Sequence, residues 1–545
     1  MPSRPPERLE SWKQIAGYLR RSVRTVRRWE RNEGLPVRRH VHRTLASVFA
    51  LRSEIDAWCE RVAPPAAAPG PVTRTERDAN TLSIAVLPFI NIGQDAESAY
   101  LADGLAAELI TTLSRVRALR VTSRTSSAAL RGTHKGARAI ARQLGVRYLL
   151  EGSVQRSGAR VRISAQLIDA HDDVNLWVET YAGTLADILS VQEHFTGRVA
   201  RALELRLSAG DVRRLAERAI PSGPAYDCYL RARYEGWRWR RESIDRSVHL
   251  LQQALEIIGD NAQLYAALGL AHLQYREAGI DLTNRPLVEA ERCAAKLFAL
   301  DPFTVSGRQL RGWIRYSRGA PQDAVRDLKE ALADDPNNAD SLLLLCNCYL
   351  ISGRVNAGRQ IASRLLTIDP LTPITRCMPA FADMLEGKFT AAVAPYRQML
   401  AMDPANPLAR LFYFWVLVLA GRRKQARAIL AGFPADSQHT VPARVARFFY
   451  HAAAGDPARA QEALGSTAEV VAQGSELFPR ILAQGFAMAG RHATALRWLR
   501  KAIERGFINY PFLAQHDPCL KSLRAEPAYQ QLMRTVHERW VNFAE

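Results

Sequence analysis

The chain has 545 residues, 48% of them apolar, which is too long for one hydrophobic core and rich enough to fill two to four. Its 74 Lys and Arg against 54 Asp and Glu give a formal charge of +20, which favours a polyanionic partner. Seven scattered cysteines without a C-x-x-C pair exclude a disulfide scaffold, the opening MPSRPPERLE lacks the apolar core of a signal peptide, and the longest apolar run, residues 411–420, falls short of the about twenty residues of a spanning helix. A cytoplasmic chain with reduced thiols and no membrane span is therefore expected. Cys346 and Cys348, two apart on a predicted helix, point in different directions and make no metal pair.

The basic excess is concentrated at the start, where residues 1–62 hold fourteen Lys and Arg against seven Asp and Glu. Ser11 and Gln14 form an S-x-x-Q capping box, and Trp12, Ile15, Ala16 and Leu19 follow at helical spacing, which predicts a helix over 12–19. Arg20 and Arg21 form the turn. A second helix starts after Ser22 and stops before Gly34, with Pro36 just beyond. At about 100° per residue it places Val23, Val26, Trp29 and Glu30 on one side and Arg24, Arg27, Arg28 and Arg31 on the other. A helix that enters the major groove needs this division: an apolar underside for docking, and long donors that pair with guanine O6 and N7 or neutralise phosphates. A solvated charged face is the usual explanation of such a run, but no carboxylate balances this stripe along the helix.

Residues 35–43 and 47–50 predict a β-hairpin wing, and a packing helix begins over 53–58. The wing carries Arg38, Arg39, His40, His42 and Arg43, suited to the phosphate backbone or the minor groove. His40 and His42 have no Cys or acidic partner at ligand spacing and read as cationic or hydrogen-bonding groups. The strings W-K-x-I-A-x-Y-L, T-V-R-R-W-E, G-L-P-V-R-R and E-I-D-A-W resemble the MerR/excisionase-type winged helix-turn-helix over nearly all of 8–62, with Arg20-Arg21 replacing the common Gly and apolar residue of its turn. The resemblance implies double-stranded DNA as partner, contacted by Arg24, Thr25, Arg27, Arg28, Arg31, Arg38, Arg39, His40, His42 and Arg43. A single such domain presents one recognition helix, so a homo-oligomer on paired half-sites is expected.

Residues 63–80 are Pro/Ala-rich and polar without apolar periodicity, which marks a semi-extended tether. From 81 to 210 the pattern is βαβαβββ, an α/β or α+β layer fold: a buried-strand run over 82–90, an amphipathic helix over 100–116, a short strand over 119–122, a helix over 137–144 stopped by Gly145, then strands over 148–155, 160–169 and 176–181. Ser157-Gly158 is the first hairpin turn and His171-Asp172-Asp173 the second loop. Asp103-Gly104 and Glu151-Gly152 belong to no phosphate-binding pattern and read as turn or helix-start residues. The strings I-A-V-L-P-F, Y-L-A-D-G-L-A-A-E-L-I-T-T-L-S, I-A-R-Q-L-G-V-R-Y-L-L-E-G-S-V and V-R-I-S-A-Q-L-I-D-A resemble the TolB-like amino-terminal (FlgO-like) domain over about 82–206. That resemblance brings no catalytic residue with it.

Further on, Asp-Pro recurs at 301, 335, 369 and 403, and Gly at 319, 353, 387, 421 and 455, each time in steps of 34. This is the tetratricopeptide period. Small residues follow those glycines by five: Ala324, Gly358, Ala392, Ala426 and Ala460, with Ala495 after Gly490. Two antiparallel helices approach closely only where side chains are small, and Pro336, Pro370 and Pro404 end the second helix of their units. The spacing gives seven or eight helical pairs over 222–540, an all-α solenoid closed by a cap over 502–533, with 411–420 in a buried helix. Its concave groove suits a protein or peptide partner, with self-association or scaffolding weighed equally. Trp237, Trp239, Tyr265 and Trp313 are either groove residues or inter-helix packing.

No H-E-x-x-H, nucleophile elbow, P-loop or zinc-ligand cluster is present, so no enzyme, metal or cofactor is predicted. Together the resemblances imply a multidomain transcriptional regulator: a small winged helix-turn-helix, a central α/β (TolB-like) domain and an all-α tetratricopeptide solenoid. The alternative is a non-enzymatic tetratricopeptide adaptor whose basic domain is vestigial or binds another polyanion.

Overall fold

The computed structural model describes residues 8–18, 23, 26, 27, 30, 31, 34–41, 46–55, 82–93, 96–116, 118–158, 160–184, 188–203, 220–236, 240–278, 280–466 and 474–545. They fall in two compact units, residues 1–79 and 80–545.

In the first unit, strand β1 (Arg8–Leu9) leads into helix α1 (Trp12–Tyr18), residues 23, 26, 27, 30 and 31 are helical, and β2 (Arg38–Val41) and β3 (Ala46–Leu51) form a hairpin followed by helical residues 52–55. The sheet order is β1-β3-β2, both pairs antiparallel. α1 starts where the sequence places it: Ser11 Oγ accepts from Gln14 N at 3.2 Å. The Gln14 side chain reaches back to Glu10 N at 2.6 Å, one residue earlier than the reciprocal bond of a standard box. Gly34 takes φ +68, which an L side chain adopts only at a cost, and so ends the second helical segment. Leu9, Ile15, Val26, Leu35, Ala50 and Ile55 form one small core.

The second unit opens with an α/β layer. Its elements are β4 (Leu82–Val86), β5 (Ile90–Asn91), α2 (Ala96–Ser114), β6 (Leu119–Val121), α3 (Arg124–Ala128), α4 (Ala137–Leu144), β7 (Tyr148–Ser157), β8 (Arg160–Asp169), β9 (Val174–Thr184) and α5 (Ile188–Ala202). The mixed sheet runs β6-β4-β7-β8-β9, with β4 parallel to both its neighbours and β7-β8-β9 an antiparallel meander. Gly158 (φ +59) and Asp173 (φ +60) make the two hairpin turns.

Two sequence expectations are corrected here. Asp103-Gly104 lies inside α2, where a Cβ on Gly104 would stand 2.8 Å from Leu230 Cδ2, so this glycine permits close packing and starts no turn. Glu151-Gly152 lies inside β7, where a Cβ on Gly152 would meet the Phe89 ring at 2.5 Å.

The repeats follow as eight antiparallel helix pairs: Gly223–Gly236 with Arg241–Ile258, Ala262–Glu277 with Arg285–Leu300, Val305–Ser317 with Pro321–Asp334, Ala339–Ile351 with Val355–Ile368, Pro373–Leu385 with Phe389–Met402, Pro407–Leu419 with Arg423–Ala431, Val441–Ala453 with Pro457–Leu464, and Leu477–Met488 with His492–Glu504. The 34-residue glycines, with Gly490, sit in the turn inside each of the last six pairs at φ between +69 and +81. The small residues five positions later are buried: Ala324, Ala392 and Ala495 are fully enclosed, and a Cβ on Gly358 would come within 2.5 Å of Leu350 Cδ2. The chain is thus multidomain, with a helical tetratricopeptide solenoid beside an α/β region of mixed sheet. Among the described residues no helix is long and apolar enough to cross a membrane.

The α/β layer and the first repeats share one core, in which Val86, Leu105 and Phe195 join Tyr226, Leu230, Leu264 and Leu310. A second core joins Leu149 and Ile168 to Leu371 of the repeats. At the other end the chain folds back on its own repeats. Ile508 N donates to Ile351 O at 3.1 Å and Asn509 Nδ2 to Leu350 O at 2.9 Å. The buried Arg480 guanidinium lies 4.2 Å from the Phe507 ring, 5.0 Å from Trp415 and 5.7 Å from Phe381. Gln484 links Trp415 Nε1 (2.8 Å) to Asp517 (2.7 Å). Phe381 and Trp415 are therefore covered by Arg480 and Gln484 of helix Leu477–Met488, and the closing segment, which ends in helix Pro527–Val541, backs those two side chains through Phe507 and Asp517.

Candidate nucleic-acid interface

In the helical segment after α1, Val26 is fully buried while Arg27 and Arg31 are exposed and Glu30 is half-buried. The Arg27 guanidinium rests 5.2 Å from the centroid of the Trp12 ring, a cation–π contact that steers a long side chain without consuming its hydrogen-bond donors. Arg24, Thr25, Arg28, His42 and Arg43 lie outside the described residues, and of His40 only its place in β2, opposite Ser47, is described.

The hairpin arginines have partners inside the module. Arg39 Nη2 lies 2.5 Å from Glu30 Oε1, and Arg38 is hydrogen-bonded to Glu54. Glu30 sits on the apolar side of its helix, so its reach to the wing is invisible along the helix alone. Both arginines are more than half exposed, and such pairs contribute little to stability. A phosphate can take the place of either carboxylate at small cost. Two further basic residues, outside the predicted set, stand on aromatic faces nearby: Arg8 is 3.9 Å from the Phe49 centroid and Arg52 4.8 Å from Tyr18. The first follows from the pairing of β1 with β3, which the local sequence does not announce.

In the second unit the polar groups build a clasp between α/β layer and repeats. Glu108 of α2 accepts from Tyr229 Oη at 2.8 Å and from Gln263 Nε2 at 3.1 Å. Asp369 accepts from Ser123, Ser126, Thr372 and Thr375 hydroxyls. Burial, then the nearby Arg233, pull the Arg124 guanidinium down to about 9, with Asp103 and Glu108 opposing. These contacts hold elements together; among the described residues no group of three or more His, Cys, Asp or Glu is placed to hold a metal ion.

Comparison with known proteins follows the same division. Residues 79–194 match the second domain of HilA/YgeH-like transcriptional regulators, where the sequence strings suggest a TolB-like domain. Residues 315–373 and 383–447 match the tetratricopeptide repeat. A protein of Rhizobium meliloti (strain 1021), described as putative adenylate cyclase 3, is 40% identical over 191 residues. That stretch is 35% of this chain and 32% of the relative, so the chain spans about a third of the length of that protein. Among solved structures, a thermophilic tetratricopeptide protein of Thermus thermophilus is 18% identical with a TM-score of 0.30, covering 36% of this chain and 99% of the other. A tetratricopeptide repeat protein of Parabacteroides merdae is 14% identical with a TM-score of 0.33, covering 51% and 99%.

Proposed function

We propose that the chain is a cytoplasmic, sequence-specific DNA-binding transcriptional regulator, in which residues 8–62 form a winged helix-turn-helix and the α/β domain (81–210) with the repeats (222–540) binds a protein partner or assembles copies. The observation that carries this reading is the match of residues 79–194 to a domain of HilA/YgeH-like transcriptional regulators. The exposed Arg27 and Arg31 opposite a buried Val26, beside an arginine-bearing hairpin, supply the chemistry: donors for phosphates and base edges on a helix and for phosphates on a wing. No catalysis is part of the reading.

A second reading, a tetratricopeptide adaptor, is favoured by the Arg38–Glu54 and Arg39–Glu30 pairs, which engage part of the basic surface internally. One experiment separates them. Duplexes selected from a random pool by the full chain are titrated across a salt series against scrambled duplex. Selective, salt-dependent binding is expected; its absence leaves the adaptor.

A further inference from the structure

The two edges of the mixed sheet are treated differently. At β6 the solenoid closes the edge: Asn337 Nδ2 donates to Leu119 O at 3.0 Å, Arg120 to Thr367 O at 2.6 Å, and Ser123 N to Ile368 O at 2.8 Å. At β9, over Val174–Thr180, β8 is the only described strand that pairs with it. An edge strand turns alternate N–H and C=O groups outward, and stable proteins protect such edges with Lys, Pro, a bulge or a covering element.

β9 carries little of this protection. It contains neither Pro nor Lys nor Arg, and its one charged residue, Glu179, is held by His194 (2.8 Å) and Arg198 (3.1 Å) of α5. Its bulge falls at the start, between the pairs Leu167–Trp177 and Ile168–Asn175, so the register from Trp177 onward is regular. Three of the twelve large apolar side chains exposed among the described residues stand here: Val174 (52%), Leu176 (43%) and Val178 (61%). Trp177 faces the other way, buried and stacked on Phe195. The side chains at 178, 180 and 182 line one uncharged face of a regular strand.

We infer that two copies of this chain pair antiparallel through the outer edges of their β9 strands, about a two-fold axis at Val178, joining the two mixed sheets into one. The occupant is a second copy because antiparallel pairing of identical strands is self-complementary: each satisfies the other's outward backbone groups, and like residues meet across the axis. Glu179, ion-paired with Arg198 and hydrogen-bonded with His194, is held back from its counterpart. The inference deepens the regulator reading, since one recognition helix per copy calls for a two-fold assembly on paired half-sites, but the interface stands or falls without DNA.

The test is sedimentation of the full chain. Wild type is expected to be a dimer at micromolar concentration. Val178→Lys and Val178→Glu alone are each expected to be monomeric, with the far-ultraviolet spectrum and melting temperature of wild type, because the side chain is exposed. An equal mixture of the two is expected to recover the dimer, as opposite charges meet across the axis. A monomeric wild type, dimers that persist in both single variants, or a mixture that stays monomeric would each overturn the pairing. Selective DNA binding by a monomer would overturn this interface while leaving the regulator reading intact.

Discussion

Ser126 of the α/β layer donates to Asp369 of the repeats at 2.7 Å, across 243 residues of chain. Ser126 is itself fully buried, and its oxygen also accepts from Leu371 N at 2.8 Å, so one hydroxyl bridges a carboxylate and an amide of the same repeat turn.

Asp369→Ala leaves the hydroxyls of Ser123, Ser126, Thr372 and Thr375 without their shared acceptor in a buried site. The expected loss is on the order of 3 kcal/mol, with Asp369→Asn milder because one acceptor oxygen is kept. Denaturant midpoints measure it, and hydrogen exchange should quicken over β6 and α3. A loss below about 1 kcal/mol for the alanine variant contradicts the clasp.

The glycines of the helix turns allow a matched comparison. Gly421 has φ +73 and nothing within 4 Å of an added Cβ, so Gly421→Ala should cost about 1–2 kcal/mol from backbone strain alone. Gly319 has φ +81 and would place its Cβ 2.4 Å from Glu504 O, a backbone atom that moves only with its turn. Gly319→Ala should therefore lower the thermal midpoint clearly more than Gly421→Ala; equal shifts would mean that the turn at Glu504 yields freely.

Asp517 is fully buried, and burial lifts its carboxyl from 3.8 to about 6, against the lowering by Gln484, the Cys519 amide, Arg480 and Arg524. A carboxyl raised in the folded state binds its proton more tightly there than in the unfolded chain. Its protonated form thus favours folding at low pH, and that contribution is lost as pH rises from about 4 through about 6. Asp517→Asn, which cannot ionise, should be more stable relative to wild type at pH 7 than at pH 4, with the difference reaching roughly 3 kcal/mol at most. Melting curves of both proteins across that range decide it; a constant offset removes the ionisation argument.

On DNA, Arg27→Ala with Arg31→Ala should reduce the slope of log affinity against log salt by about two, one for each lost phosphate contact. Arg24→Ala with Arg28→Ala should abolish discrimination between selected and scrambled duplex, and Arg38→Ala or Arg39→Ala should weaken both duplexes alike. Fluorescence anisotropy with the full chain reads all three. Unchanged binding throughout would remove the assigned surface.

Periodic features of this fold are legible in the sequence and pairwise ones are not. Glycines and small residues 34 apart write out the solenoid, because each turn repeats the same backbone demand. Alternating apolar residues, Val161, Ile163, Ala165 and Leu167, mark β8. α3, R-T-S-S-A, has no apolar period and is held by the Ser123 cap and by Asp369, far away in the chain. α5 carries Val191, Phe195 and Val199 at helical spacing and is readable in principle. In the first unit the pattern separates Val26 from Arg27 and Arg31 but misses Glu30 reaching Arg39, a contact made only when the hairpin folds over the helix. Asp103-Gly104 and Glu151-Gly152 mislead for a related reason: a glycine needed for close approach looks, one residue at a time, like a glycine needed for a turn.

The interior common to the α/β layer and the first repeats also constrains descent. Val86 and Leu105 pack in one cluster with Tyr226, Leu264 and Leu310, so a recombination break near residue 215 would strip apolar surface from both products. The later repeats are bound in the same way, because one cluster runs from Ala324 to Phe543 and the closing segment is bonded back to Leu350 and Ile351. The stretch from β4 to at least Leu371 is inherited whole or lost.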